Sequence, residues 1–171
     1  MTDAEMAEEI LDALKRRAER LICATEPRLG AKNRRIDFWT LSPHEGKGYK
    51  AVSYEIKVSR ADFRRDSALK QREARLYSDE LYYVAPKGRI PFDEIPDWAG
   101  LQEWNGKTFR CSVPAPMLSK SFPSWEFVSS LIRSSTEVRR DVQADVVDLR
   151  GQVYLLKAQV ERLKAEGARG R

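Results

Sequence analysis

Three ionisable side chains sit where strand-like patterning would not place them without a reason. Asp37 lies inside Arg35-Ile36-Asp37-Phe38-Trp39-Thr40-Leu41, and Glu55 and Lys57 lie inside the stretch from Lys50 to Val58. Carboxylates are disfavoured in strand interiors. In the second stretch Val52, Tyr54, Ile56 and Val58 alternate with Ala51, Ser53, Glu55 and Lys57, the period of two that sends Glu55 and Lys57 to one face. If residues 35–41 and 50–58 pair as an antiparallel hairpin, Asp37 and Glu55 share a sheet face at cross-strand distance. Two carboxylates so placed repel unless a cation neutralises them.

The chemistry that follows is that of a hard cation. Two carboxylates, waters and the carbonyl of Ile56, which lies between Glu55 and Lys57, make an all-oxygen site suited to Mg²⁺ or Mn²⁺. Lys57, about 6 to 7 Å further along the same face, brings an ammonium beside the metal. There it orients an attacking water or stabilises the charge that develops on a phosphate. The competing reading is a strand that turns Ala51, Ser53, Glu55 and Lys57 to water; the spacing Asp-x(17)-Glu-x-Lys alone does not choose between them.

The elements needed to position these residues can be read from the chain. Met6, Ile10, Leu14 and Leu21 recur at helical spacing over residues 4–22, with Glu8, Glu9, Lys15, Arg16 and Arg20 elsewhere on the wheel. Residues 25–34, with Pro27, Gly30 and Asn33, read as a connection, and 42–48, with Pro43, Gly46 and Gly48, as the loop between the two acid-bearing strands. Ser59, with Asp62 three residues on, is a helix N-terminus signature, and a helix is expected from about Arg60 to Tyr77. Leu81-Tyr82-Tyr83-Val84-Ala85 reads as a buried strand parallel to the one bearing Glu55, ended by Pro86. Segments 100–104 and 108–113 flank Asn105-Gly106 as a hairpin, and a helix from Trp125 carries Phe127, Val128, Leu131 and Ile132 onto the core.

Beyond it, Val142, Val146, Leu149, Val153, Leu156, Val160 and Leu163 repeat in alternating steps of four and three, a heptad seam with valine at a and leucine at d. Such a seam favours a parallel pair, and Asp145 at g faces Arg150 at the following e, so a homodimer through residues 142–163 is expected; packing of the seam on its own domain is the alternative. The chain thus divides into a domain over 1–133, a coiled-coil helix over 134–166 and a basic tail over 167–171.

Helix, acid-bearing strand, Glu-x-Lys strand, helix and strand follow in the order of a restriction-endonuclease-like core. The expected fold is α/β: αβββαβ with a mixed sheet, an added β-hairpin and the C-terminal coiled-coil helix. The block Tyr54-Glu55-Ile56-Lys57-Val58-Ser59-Arg60-Ala61-Asp62-Phe63, with Leu81-Tyr82-Tyr83-Val84-Ala85-Pro86 and Ile95-Pro96-Asp97-Trp98-Ala99-Gly100-Leu101, resembles the MmcB-like DNA repair family of the PD-(D/E)XK nuclease superfamily. The family includes many phage-encoded members. The resemblance spans roughly residues 34–133, and the E-I-K-x-S-R-x-D block is its most specific part. It implies Asp37 and Glu55 as metal ligands, Lys57 as the catalytic lysine, and Lys70 and Tyr77 near the site; a solvent lysine and a core tyrosine are the plain alternatives. Many superfamily members also bring a glutamate from the first helix to the metal, and Glu5, Glu8 and Glu9 compete for that place.

Composition sets the limits. The 171 residues are 42% hydrophobic and 33% charged, which excludes a disordered chain, and no apolar run reaches the roughly 20 residues of a bilayer helix, so neither a membrane span nor a secretory leader is expected and the cytoplasm is the expected compartment. A net charge of +5 suits a polyanionic partner. Arg60, Arg64, Arg65, Lys70, Arg72 and Arg75 crowd the helix after Lys57, and DNA contacts through Arg60, Arg64, Lys70 and Tyr77 to the phosphate backbone, without a base-reading element, are expected. Cys23 and Cys111 lack metal-ligand spacing and read as buried thiols, and His44 as an exposed loop residue. Metal-dependent hydrolysis of DNA is therefore the leading expectation, and a non-catalytic DNA-binding or scaffolding protein that keeps the fold is the alternative.

Overall fold

The computed structural model describes residues 2–29, 34–135, 150–157 and 159–160, the Lys47 side chain excepted. The chain forms two compact units, Met1–Ser135 and Thr136–Arg171. The first holds a six-stranded mixed sheet whose spatial order follows the sequence: β1 Ile22–Thr25, β2 Phe38–Leu41, β3 Ala51–Ile56, β4 Glu80–Pro86, β5 Gly100–Trp104 and β6 Phe109–Val113. The first three strands are antiparallel neighbours, β3, β4 and β5 run parallel, and β5–β6 is an antiparallel hairpin. The parallel pairs require crossovers, and the helices between β3 and β4 supply one of them.

Helices cover both faces. Helix α1, Asp3–Arg17, starts on Thr2, whose hydroxyl accepts from the Glu5 N–H while the Glu5 carboxylate accepts from the Thr2 N–H. It buries Ile10, Ala13 and Leu14 against Phe38, Tyr54, Ile56, Tyr82, Val84 and Trp104. On the other face Trp39, Ala51, Leu81, Tyr83 and Leu101 meet Phe63 of α2 (Arg60–Arg64), Ala74 of α3 (Arg72–Leu76) and Phe127 of α4 (Trp125–Ser134). Ser59 caps α2 and Ser124 caps α4, each hydroxyl accepting the amide three residues on.

Several expectations are corrected. The first helix stops at Arg17, not residue 22, because the β-inclined Ile22-Cys23-Ala24-Thr25 pairs with β2. The helix expected over 60–77 is two short helices joined by residues 65–71, where the Asp66 carboxylate accepts the Ser67 N–H and the Ser67 hydroxyl accepts the Lys70 N–H, side-chain bonds that compete with a continuous helical ladder. Cys23 is half-buried and Cys111 exposed, at opposite edges of the sheet. Ile132 is 51% exposed, while Phe127 and Leu131 of the same helix pack on the core. The expected hairpin about Asn105-Gly106 is present, with Gly106 at φ 88°.

In the second unit residues 150–157 and 159–160 are helical, and Val153, Leu156 and Val160 are exposed. The heptad positions Val142, Val146, Leu149 and Leu163, the Asp145 partner of Arg150, and the basic tail lie outside the described residues. No described helix is long and apolar enough to cross a membrane.

Gly100 opens β5 where the parallel strands meet the backbone of the segment after β6. A Cβ there would lie 2.5 Å from the Tyr82 ring and 2.6 Å from the Ala115 main-chain nitrogen, and the latter cannot swing aside. Gly100→Ala should therefore lower stability by about 1 to 3 kcal/mol, read as a shift in the denaturant midpoint. An unshifted midpoint would show that the strand relaxes there at no cost.

Candidate functional site

The site forms where β3 ends between β2 and β4. Phe38 pairs with Tyr54, so one step further the register sets Asp37 against Glu55. Asp37 itself is outside β2, at a bend, because its Oδ2 accepts the Ile56 N–H at 2.7 Å where a main-chain carbonyl would otherwise continue the ladder. The strand expected to begin at Arg35 accordingly begins at Phe38. The N–H and C=O of an extended residue leave its strand on the same edge, so the Ile56 carbonyl also faces the Asp37 side. On the opposite edge the Lys57 N–H donates to the Val84 carbonyl at 2.9 Å.

The face bearing Ala51, Ser53, Glu55 and Lys57 does not meet water. Ala51 and Ser53 are buried, Lys57 is 8% exposed and the Glu55 side chain 13%. Lys57 Nζ donates to Glu55 Oε1 at 2.9 Å and lies 3.6 Å from Asp66 Oδ2. Glu55 Oε2 is buried and has no hydrogen-bond partner among the described residues. A carboxylate oxygen in that state carries the full cost of lost hydration.

The electrostatics follow from burial. Desolvation, then the neighbouring Asp37 charge, push the Glu55 carboxyl up to about 7, against the opposing pull of Lys57. Asp37 is raised too, by burial, with the Ile56 N–H and Lys57 acting the other way. For Lys57 burial disfavours the ammonium, but Glu55, Asp66 and Asp62 together outweigh it and raise the amine above its ordinary value. Lys57 is thus a cation and hydrogen-bond donor at neutral pH, not a base.

A cavity of about 510 Å³ opens over this cluster. Buried Lys57 and Gln71 and half-buried Glu55 and Asp66 line it, together with Arg34 and Arg35 from the approach to β2 and Asp62, Arg65 and Lys70 from the α2–α3 region. Asp37 is not among the lining residues; its charge reaches Glu55 from the β2 side.

Of the site residues expected from the sequence, Glu55, Lys57 and Lys70 come together at the cavity, while Asp37 and Ile56, bonded to one another next to Glu55, stay outside its lining. Tyr77 does not: its ring stacks on Phe127 at 4.6 Å in the core and its carbonyl accepts the Trp39 indole N–H. Lys70 and Tyr77 share no continuous helix face, since residue 70 precedes α3. Arg60 and Arg64 are paired with Glu94, whose carboxyl their hydrogen bonds hold down at about 2, and they do not line the cavity. Arg75 lies over the Trp98 ring at 4.8 Å. Glu5 belongs to the α1 cap, Glu8 is exposed and Glu9 accepts the Trp104 indole N–H at 2.8 Å; α1 packs on the other sheet face, so none of the three lines the cavity. His44 is exposed and outside it as well.

Asp66, Gln71, Arg34 and Arg35 are site residues that no pattern in the sequence singles out, and Arg65, named only among the cations after Lys57, lines the cavity with them. Asp66 and Gln71 were hidden by the expectation of one uninterrupted helix; the Asp66-Ser67 pair, a local helix competitor, was the available signal.

As to a metal, among the described residues no group of three or more His, Cys, Asp and Glu is arranged to hold an ion. Asp37, Glu55 and the Ile56 carbonyl nevertheless fit a hard cation by donor chemistry, and the partnerless Glu55 oxygen is the group such a cation would satisfy.

No protein-family model matches this sequence, and no curated protein matches it. Among solved structures, the SPO1766 protein of unknown function from Silicibacter pomeroyi is similar, with a TM-score of 0.54 and 23% identity over 79% of this chain and 85% of that one. The likeness is one of fold.

Because Glu55 titrates higher folded than unfolded, the folded state binds the extra proton between about 4.5 and about 7, and its contribution to stability is lost as pH rises through that window. Glu55→Gln, which cannot ionise, should be more stable than the parent at pH 8 by about 1 to 3 kcal/mol, the difference vanishing below pH of about 4.5. Parallel urea melts at the two pH values check it; a variant less stable than the parent at pH 8 would contradict it.

Proposed function

We propose that the chain is a metal-dependent DNA nuclease of the PD-(D/E)XK type, related to the MmcB-like family and acting in DNA repair or processing. The observation that carries this reading is the buried, partnerless Glu55 oxygen beside a second carboxylate, the half-buried Asp37, and a buried lysine. The order α1, β1–β3, α2–α3 and β4 agrees with the αβββαβ arrangement of a restriction-endonuclease-like core.

Asp37, Glu55 and the Ile56 carbonyl would hold Mg²⁺ or Mn²⁺, which when bound supplies Lewis-acid polarisation of a phosphate and a more acidic water. Glu55 provides the oxygen now lacking a partner. Lys57, kept cationic by its acidic neighbours, donates to the attacking water or to a non-bridging phosphate oxygen as charge develops there. Arg34, Arg35, Arg65 and Lys70, around the cavity, receive the flanking phosphates; they carry charge but no base-reading geometry, which suits backbone or shape recognition.

Exposed Val153, Leu156 and Val160 keep the four-three spacing of the heptad seam, and a homodimer through residues 142–163 is part of the proposal. The unit ending at Ser135 should sediment as a monomer and the full chain as a dimer; equal oligomer size for both removes the zipper from the proposal.

Activity is tested with single-stranded, nicked, branched and duplex DNA in Mn²⁺. Cleavage that falls by about a hundredfold or more in Lys57→Ala is expected. No cleavage of any substrate, with salt-sensitive DNA binding that survives chelation and Glu55→Ala, would instead favour the non-catalytic DNA-binding reading. Arg65→Ala and Lys70→Ala should each weaken binding and reduce its log–log salt slope by about one.

A further inference from the structure

Asp66 stands in the connection between α2 and α3, and its side chain is 3% exposed beneath the cavity. Both of its oxygens are committed. Oδ1 accepts the Ser67 N–H at 2.8 Å, and Oδ2 accepts the Gln71 side-chain amide at 2.7 Å and the Tyr83 hydroxyl at 3.3 Å. These donors are themselves fixed. Gln71 is buried, and Tyr83 lies in the central strand β4 with the Phe63 ring edge-on to it at 4.9 Å. The same Oδ2 is 3.6 Å from the Lys57 ammonium.

Lys57 has two acidic partners, and they differ in freedom. Glu55, at 2.9 Å, is the nearer, but it is also the residue with an unpaired oxygen and an adjacent carboxylate. If it turns to a cation, as the nuclease reading requires, its hold on Lys57 weakens. A lysine released in this way recovers rotamer freedom and loses its aim. Asp66 cannot turn, because three donors fix its orientation.

We propose that Asp66 is a positioning residue for catalysis, a fixed anion anchored by Gln71 and Tyr83 that keeps the Lys57 ammonium at the reacting phosphate when Glu55 engages the cation. This rests on the nuclease reading above. The plainer role for Asp66, pinning residues 65–71 to the sheet, would place Arg65 and Lys70 and so act on DNA binding.

The test uses the full-length protein with Asp66→Asn, which keeps shape and an acceptor oxygen but removes the charge. With Mn²⁺ and DNA, kcat should fall by about tenfold or more while KM stays within about twofold of the parent. With Mn²⁺ but no DNA, so that Glu55 is drawn to the cation, acylation of Lys57 by an N-hydroxysuccinimide ester, quantified by mass spectrometry, should quicken by about threefold or more as the ammonium loses the fixed anion that holds it. Tyr83→Phe, which removes one anchor and keeps the ring, should change both readouts in the same direction and to a lesser degree, and it decides the matter if Asp66→Asn does not fold. Raised KM with unchanged kcat, or unchanged Lys57 labelling, overturns the proposal. If the parent cuts no DNA the nuclease reading fails by itself, and Lys57 labelling alone then shows whether Asp66 holds the ammonium.

Discussion

The site depends on taking two carboxylates and an ammonium out of water at the end of one strand. For the two carboxylates burial and mutual repulsion cost more than Lys57 returns, as the upward shift of Glu55 to about 7 records, while Lys57 itself gains from its acidic neighbours. The surrounding fold must offset that cost. It does so with a sheet packed on both faces, α1 over Tyr54 and Ile56 on one side and Phe63, Ala74 and Phe127 over Trp39 and Tyr83 on the other. Alternation along β3 divides the labour: even-numbered positions build the core with α1, while odd-numbered positions end in Glu55 and Lys57 under the α2–α3 region.

The charges around the cavity differ in what they are free to do. Arg60 and Arg64 share Glu94, and Arg75 rests on Trp98, so the cations most evident in the sequence are already engaged. Two of the arginines that line the cavity are paired as well, but at the surface: Arg35, bridged to Arg28, meets Glu26 at 2.8 Å and Arg65 meets Asp62 at 3.2 Å, exposed pairs that cost little to exchange.

Much of this was legible in the residues. The period-two pattern located β3 and the shared direction of Glu55 and Lys57, Asn105-Gly106 located the last hairpin, and Ser59 marked a helix start. What failed were places where a local signal contended with a tertiary one. Leu21 continued the helical spacing of α1, yet pairing with β2 won the residues that follow it; Asp37 read as a strand residue because nothing local reveals that its side chain replaces a ladder carbonyl at Ile56. The 60–77 stretch is rich in helix formers, and its interruption combines the local bonds of Asp66 and Ser67 with the inward reach of Asp66 to Tyr83, seventeen residues on. Long-range bonds of this kind leave no period in the sequence.

That interruption has a further consequence. The connection between α2 and α3 is fastened at its two ends, Asp66 and Gln71, to a central strand and to one another, while Leu69 between them is 68% exposed. The fastening points are a spacer and a lock, and the tip is neither. Length and composition around Leu69 can therefore drift, as surface loops do, without disturbing the floor of the cavity, whereas moving either fastening point by one residue would misalign it. The molecule thus carries a place where new surface contacts can be added by insertion, set above a cluster of buried charges that must stay still.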